Sequence, residues 1–228
     1  MMLRMVYPGG KGSCYQHVIN VLPPHLTYIE THLGGGAVLL HKKPAEVSIG
    51  IDRNPAVIGY WRRSFPFLAT YMVGDAADFL SGRRFEGHEV VYCDPPYLAS
   101  TRRRKRVYVY DYTEEDHLRL LETIRKLHCR VVLSGYPSQL YDEWLRDWNT
   151  RTFPAKTHKG LRCEVLWFNF DPPTRLHDSR YIGHSFRERE TVKRRLDRLQ
   201  RRITVLSVQE KHRLSEWLCV HLRGESEA

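Results

Sequence analysis

Val90-Val91-Tyr92-Cys93-Asp94-Pro95-Pro96-Tyr97 is a short β-branched and aromatic run that stops at two prolines. The run reads as a buried strand. Each proline removes a backbone donor and fixes φ near −65°, so the strand cannot continue. A carboxylate is left at the strand's C-terminal edge, followed by a stiff turn and one aromatic ring. In open α/β sheets that edge is where ligands bind. A carboxylate beside a proline carbonyl offers two acceptors with no donor between them, a pair suited to an exocyclic –NH2. The Tyr97 ring offers a π-face for a base drawn out of a duplex. A strand-ending turn with a capping Asp would read the same way, so the discrimination falls to the rest of the chain.

Upstream, Val6-Tyr7-Pro8-Gly9-Gly10-Lys11-Gly12 is a glycine turn carrying one lysine and one aromatic, with a helix expected from Ser13 to Leu22. Leu26 to Glu30 reads as a strand. Leu33-Gly34-Gly35-Gly36-Ala37 follows as a tight loop opening a helix over Val38 to Lys42. Strand, glycine loop and helix together let a ligand approach the backbone closely. Val47 to Ile51 is a second strand, ending in Asp52-Arg53-Asn54. An acid at that strand tip, about 20 residues past the glycines, is placed to accept ribose hydroxyls in a Rossmann-like fold. Tyr71-Met72-Val73-Gly74-Asp75 again ends on an acid, and Asp94 ends the fourth unit. Capping explains any one of these carboxylates; Glu30, Asp52, Asp75 and Asp94 in series point to a nucleoside-bearing cofactor along the sheet edge.

Downstream, Arg102-Arg103-Arg104-Lys105-Arg106 precedes Tyr108, Tyr110 and Tyr112. A run of cations is ordinarily a solvated loop. Next to the proposed site and interleaved with tyrosines, it suits phosphate contact and base stacking. Thr113-Glu114-Glu115-Asp116 caps a helix reaching His128, Cys129 to Ser134 is a fifth strand, and Pro137 to Trp148 a further helix. A basic turn over Lys156–Gly160 leads to a late apolar strand, Cys163 to Phe170, and Asp171-Pro172-Pro173 closes the domain. From Thr174 the composition shifts. Val192, Leu196, Leu199, Ile203 and Leu206 form an amphipathic stripe with Arg194, Arg195, Arg198, Arg201 and Arg202 off it. Ser207 to Glu210 is a capping box for a second helix. The two make a basic hairpin that could serve as a packing element, a homodimer seam or a nucleic-acid grip.

With 36 Lys and Arg against 26 Asp and Glu, the 228-residue chain carries a net charge of +10. That excess points to a polyanion, nucleic acid before membrane. No apolar run approaches a membrane span, and the N-terminal residues do not read as a secretory signal. The five cysteines are dispersed without a C-x-x-C pair, an arrangement that favours free thiols in a reducing, cytoplasmic setting and no metal site.

In this order the motifs resemble the DNA adenine methylase (Dam-like, D12 class) family of S-adenosylmethionine-dependent N6-adenine methyltransferases, over residues 6–171. Tyr7 to Lys11 is similar to the family's W-A-G-G-K element, Glu30 to Ala37 to its E-P-F-x-G-G-G-A loop, and Asp52-Arg53-Asn54 to its D-I-N. Gly74-Asp75 matches G-D, and Asp94 to Tyr97 matches D-P-P-Y. The resemblance implies an α/β, Rossmann-like class I methyltransferase sheet with flanking helices over residues 1–173, plus a C-terminal helical extension over 174–228. It also implies S-adenosyl-L-methionine as cofactor and DNA as partner. Tyr7, Lys11, Glu30, Gly34, Gly35, Gly36, Asp52, Asp75 and Asp94 would hold the cofactor. Asp94, Pro95, Pro96 and Tyr97 would form the catalytic turn. Cys93 is expected to be a packed strand residue, because methyl leaves a sulfonium without a covalent enzyme intermediate.

Two departures stand out. His32 and Leu33 occupy positions where the family usually has Phe and a small residue. Only about 20 residues separate Asp52 from Asp75, too few for the helical target-recognition insert that the family normally carries there. Relaxed sequence specificity is the expectation. The competing readings are an RNA N6-adenine methyltransferase and a catalytically silent nucleic-acid-binding protein on the same fold. N4-cytosine transfer is disfavoured, since it more often goes with Ser in place of Asp94.

Overall fold

The computed structural model describes residues 11, 12, 14–101, 109–157 and 160–224. Strands β1 (Thr27–Glu30), β2 (Val47–Asp52), β3 (Thr70–Val73), β4 (Glu89–Cys93), β5 (Arg130–Gly135), β6 (Asn149–Thr157) and β7 (Gly160–Phe168) form one sheet in the order β3-β2-β1-β4-β5-β7-β6. The first five are parallel; β7 runs antiparallel to both its neighbours. The α/β, Rossmann-like expectation holds. Chain order reverses across β1, which pairs with β2 on one side and β4 on the other. A crevice opens at such a switch point, beyond the strands' C-terminal ends.

Alternation along β4 explains why the opening stretch sits so firmly. Val90 and Tyr92 enter the core on one face of the sheet, Val91 and Cys93 the core on the other, as the two-residue period of a strand requires. Every residue of β4 is buried. The strand ends where Pro95 and Pro96 follow, so Asp94 emerges at the sheet edge rather than inside it. Glu89, buried at the other end, is satisfied by the backbone N–H groups of Glu86 and Gly87.

Local signals set most helix starts. Asn54 caps α3 (Pro55–Ser64), its Oδ1 accepting from the Ala56 N–H at 3.0 Å with Pro55 at the first turn. Thr113 and Asp116 form the expected capping box of α5 (Glu114–Arg125). Ser138 caps α6 (Gln139–Trp144), which ends four residues short of the expected Trp148. The connection between β2 and β3 contains α3 and no further helix.

One strand escaped the sequence reading. β6 runs into the basic turn, taking up Lys156 and Thr157, and pairs with β7 from Asn149↔Phe168 to Thr157↔Gly160. Its Pro154 and scattered charges hide the pattern, and both are tolerated because β6 is a sheet edge. The first packed unit also runs beyond the composition shift at Thr174. It extends to Tyr181, because the His177 N–H donates to the Leu22 carbonyl and the Lys43 N–H to Asp178. The second unit, Ile182–Ala228, contains α7 (Phe186–Thr204) and α8 (Val208–Gly224). Among the described residues no helix is long and apolar enough to cross a membrane.

Gly36 ties the fold to its crevice. It caps α2 (Ala37–His41) at φ 53°, in the left-handed region, and a Cβ there would fall inside the Trp61 ring. Trp61, on α3 and 1% exposed, donates its indole N–H to the Gly34 carbonyl at 3.0 Å. Gly36→Ala should therefore lose at least about 2 kcal/mol from overpacking plus backbone strain. Urea unfolding checks this: a lower midpoint at unchanged slope is expected.

Candidate active site

At the C-terminal ends of β1, β2 and β4 lies a cleft open to solvent. Lys11, the Glu30–Ala37 segment, Asp52, Arg53, Asp94, Pro95 and Pro96 line it, and Tyr110 and Tyr112 complete its wall. The topology thus brings together most of the residues that the sequence singled out.

Asp94 is the most constrained of them. Its Oδ1 accepts from Lys11 Nζ at 2.6 Å and from Ser134 Oγ at 2.8 Å, and Ser134 Oγ in turn meets the Tyr92 hydroxyl at 3.0 Å. Both donors converge on one oxygen; Oδ2 carries no hydrogen bond among the described residues. Burial alone would lower the pKa of Lys11, but Asp94, with Tyr92 and Glu164, holds it well above the ordinary lysine value. Lys11 also lies 3.4 Å from Glu164 on β7. Its ammonium is a fixed positive charge beneath the catalytic-turn candidate.

Asp52, 7% exposed, accepts the Gly34 N–H on one oxygen and the Asn54 N–H on the other, each at 2.8 Å. Burial raises its pKa, countered by these two N–H groups. Each oxygen keeps a lone pair for a further donor. Glu30 sits below the loop, where the Tyr28 hydroxyl (2.9 Å) and the Leu39 N–H (3.0 Å) both donate to Oε2. Burial, with Asp94 adding to it, pushes its carboxyl up to about 8.

A side wall comes from residues the sequence reading had not assigned. His32 Nε2 meets the Tyr112 hydroxyl at 2.8 Å, and burial lowers its pKa to about 3, so the ring is neutral. The Arg53 guanidinium lies over the Tyr112 ring, 4.5 Å from its centroid. Arg53 bonds Asp75 at 2.7 Å and Asp116 at 2.8 Å, and Arg119 bonds Asp75 at 2.7 Å. Asp75 additionally caps α4 (Ala76–Ser81). It does not line the cleft; its carboxylate is occupied by two arginines and a helix N-terminus.

Tyr97 is likewise not in the lining. It is 6% exposed, bonded to Lys11 through its hydroxyl and packed on Tyr136 at 4.3 Å. The exposed aromatic at the rim is Tyr110, 45% exposed. Cys93 is buried, and burial pushes its thiol up to about 12, as befits a packing residue. Tyr7, Arg102, Arg103, Arg104, Lys105, Arg106 and Tyr108 lie outside the described residues. Sequence signals existed for two of the missed contributors. Arg53 stands inside the D-R-N element, and Glu164 is a lone acid in an otherwise apolar strand. Tyr112 belongs to the tyrosine-interleaved segment noted for base stacking, and the structure uses it instead against His32; Ser134 carried no signal, because only strand pairing brings it to Asp94.

Strand order, glycine loop and strand-end carboxylates define the class of fold: a Rossmann-like α/β sheet with a crevice at the C-terminal ends of its strands. Within that class the chain is similar to the D12 class N6 adenine-specific DNA methyltransferases, whose family model matches residues 67–159. The matched span holds Asp75 and the Asp94–Tyr97 turn but not the glycine loop, so it is shorter than the resemblance read from the sequence. No curated protein matches the chain in sequence. Among solved structures, a precorrin 8W decarboxylase from Methanobacterium thermoautotrophicum aligns at 16% identity and TM-score 0.47, covering 72% of this chain and 93% of that one. An rRNA methylase from Streptococcus thermophilus aligns at 10% identity and TM-score 0.47, over 68% and 93% of the two chains. A putative methyltransferase from Streptococcus mutans in complex with SAH gives the same figures. These are distant likenesses; the strand order carries the fold assignment.

The elevated Glu30 pKa generates a prediction. Between the unfolded value near 4.5 and the folded value of about 8, the folded state binds the extra proton, so this group's contribution to stability falls as pH rises through that window. Glu30→Gln keeps an acceptor for Tyr28 and Leu39 but cannot ionise. The stability difference, variant minus wild type, should rise from pH 4.5 to pH 8 and then level off in denaturant titrations.

Proposed function

We propose that the protein transfers a methyl group from S-adenosyl-L-methionine to N6 of adenine in DNA. The observation that carries this reading is the half-occupied Asp94: Oδ1 is pinned by Lys11 and Ser134, Oδ2 carries no hydrogen bond among the described residues, and Asp94 and Pro95 both line the cleft. Two acceptors with no donor between them match the two hydrogens of an amino group. By holding that amine, Asp94 and Pro95 would direct its lone pair into the cleft. Catalysis then comes mostly from positioning, and no nucleophile of the protein is required.

The residues present fit the cofactor. Gly36 leaves no room for a side chain, and the Asp52 oxygens retain lone pairs suited to a ribose diol. Neutral His32, with Tyr112 and Arg53, supplies a wall suited to an adenine ring. When bound, S-adenosyl-L-methionine supplies an electrophilic methyl on a sulfonium. Asp75 acts at one remove in this reading: it fixes Arg53 against Tyr112 rather than touching the cofactor. Tyr97 braces Lys11, and Tyr110 offers the open aromatic face at the rim. Asp94, Pro95 and Pro96 form the catalytic turn, and Glu30 supports the glycine loop from below.

DNA as the substrate follows the D12 likeness and the charge of +10. The short β2–β3 connection leaves no insert to read base edges, so methylation in many sequence contexts is the corresponding proposal. Labelled-cofactor assays on duplex DNA, single-stranded DNA and RNA, followed by nucleoside analysis, test it. N6-methyladenine in DNA is expected; label found mainly in RNA or on cytosine would sink this substrate assignment.

Two variants separate chemistry from cofactor binding. Asp94→Asn places a donor before –NH2 and should lower turnover at least about a hundredfold, with cofactor affinity little changed by calorimetry. Asp52→Ala should weaken the cofactor by about 1.5–3 kcal/mol, typical of hydrogen bonds to a charged group.

A further inference from the structure

Helix α7 carries a charge pattern that packing does not explain. At 3.6 residues per turn, Arg187, Arg194, Arg198 and Arg201 recur at spacings of seven, four and three, and Arg195 and Arg202 lie immediately beside that ridge. The six guanidinium groups occupy roughly a third of the helix circumference over about 22 Å of its length. All six residues are exposed. Among the described residues none of them meets a carboxylate; Arg198 donates only to the Arg194 carbonyl. The acids of the same helix, Glu188, Glu190 and Asp197, fall to the flanks of this face. The apolar residues Val192, Leu196, Leu199 and Ile203 lie on another side, so the arginine face is not a by-product of the apolar stripe. Glu190 and Asp197 stand four residues before Arg194 and Arg201, a spacing at which acid and base can pair on a helix, yet neither couple closes to an ion pair among the described residues. The six guanidinium groups stay open on this face.

We infer that this face of α7 is a docking surface for the phosphate backbone of duplex DNA. One strand of B-DNA presents a phosphate every 3.4 Å or so of axis, so about six lie along a length of about 22 Å. Guanidinium is the side chain best matched to phosphate, through two parallel N–H donors. Contacts of this kind give affinity and register without reading sequence, which is what an enzyme with no recognition insert requires. The inference rests on the reading of DNA as the substrate, and binding and methyl transfer are measured separately for that reason.

The test compares two full-length variants with the wild type. One carries Arg194→Gln, Arg198→Gln, Arg201→Gln and Arg202→Gln. The other carries Arg63→Gln, Arg84→Gln, Arg146→Gln and Arg175→Gln, which removes the same charge from exposed positions of the first unit. Glutamine is a good helix former, so α7 should persist, and circular dichroism verifies it. Affinity for a short DNA duplex is measured by fluorescence anisotropy across a salt series. Each lost phosphate contact removes about 0.9 from the slope of log K against log salt. The α7 variant should lose about 3 to 4 units of slope and the control variant less than 1. An excess of two or more over the control supports the surface; any smaller excess overturns it, including one accompanied by a change in oligomeric state. A wild type that shows the slope difference but transfers no methyl to DNA would keep this surface and discard the substrate reading. Methyl transfer to DNA without the slope difference would do the reverse.

Discussion

The pairing of Lys11 with Asp94 is the interaction on which the rest of the site depends. The two side chains are 3% and 15% exposed, so both ions have been taken largely out of water. Desolvation on this scale is recovered only when geometry and further hydrogen bonds are good. Ser134 and Tyr92 supply the further bonds, and Glu164 shares the ammonium. The arrangement has a direction. All the donors act on one oxygen of Asp94 and leave the other without a hydrogen bond among the described residues. A capping aspartate at a strand end would have no need of a buried lysine.

The four strand-end acids differ in what holds them, and that difference organises the cleft. Glu30 is buried in a site that favours its protonated form, where it accepts from Tyr28 and from the backbone of α2. Asp52 is held by two backbone N–H groups that leave lone pairs available. Asp75 belongs to an arginine network and to the start of α4. Asp94 answers to Lys11. One sequence pattern therefore covers four environments, which burial and neighbours set rather than position in the chain.

The second unit adds a different kind of surface. Within the first unit several charges are matched: Arg53 with Asp75 and Asp116, Arg119 with Asp75 and Asp78, Arg180 with Asp178. On α7 six arginines share one exposed face and meet no carboxylate among the described residues. Matched charge positions side chains inside a fold, whereas unmatched charge of one sign reaches outwards to a polyanion.

The sequence by itself determined the α/β core, the carboxylate-bearing ends of its strands and the glycine loop among them. Strand-ending prolines, glycines and caps act through the local backbone, and their meaning survives without tertiary contacts. The turn Asp94–Pro95–Pro96, the glycine loop, the capping box at Thr113 and the amphipathic α7 were all legible for that reason. Only the tertiary structure decided which atoms meet. It paired Lys11 with Asp94 across 83 positions of chain and brought Ser134 to the same oxygen from the neighbouring strand. It withdrew Asp75 and Tyr97 from the cleft and put Arg53, Tyr112 and His32 into its wall. It also added β6, whose proline and charges are acceptable only at a sheet edge. These outcomes depend on strand register and on competition among charged neighbours at short range, and neither quantity is written in any local stretch of the chain.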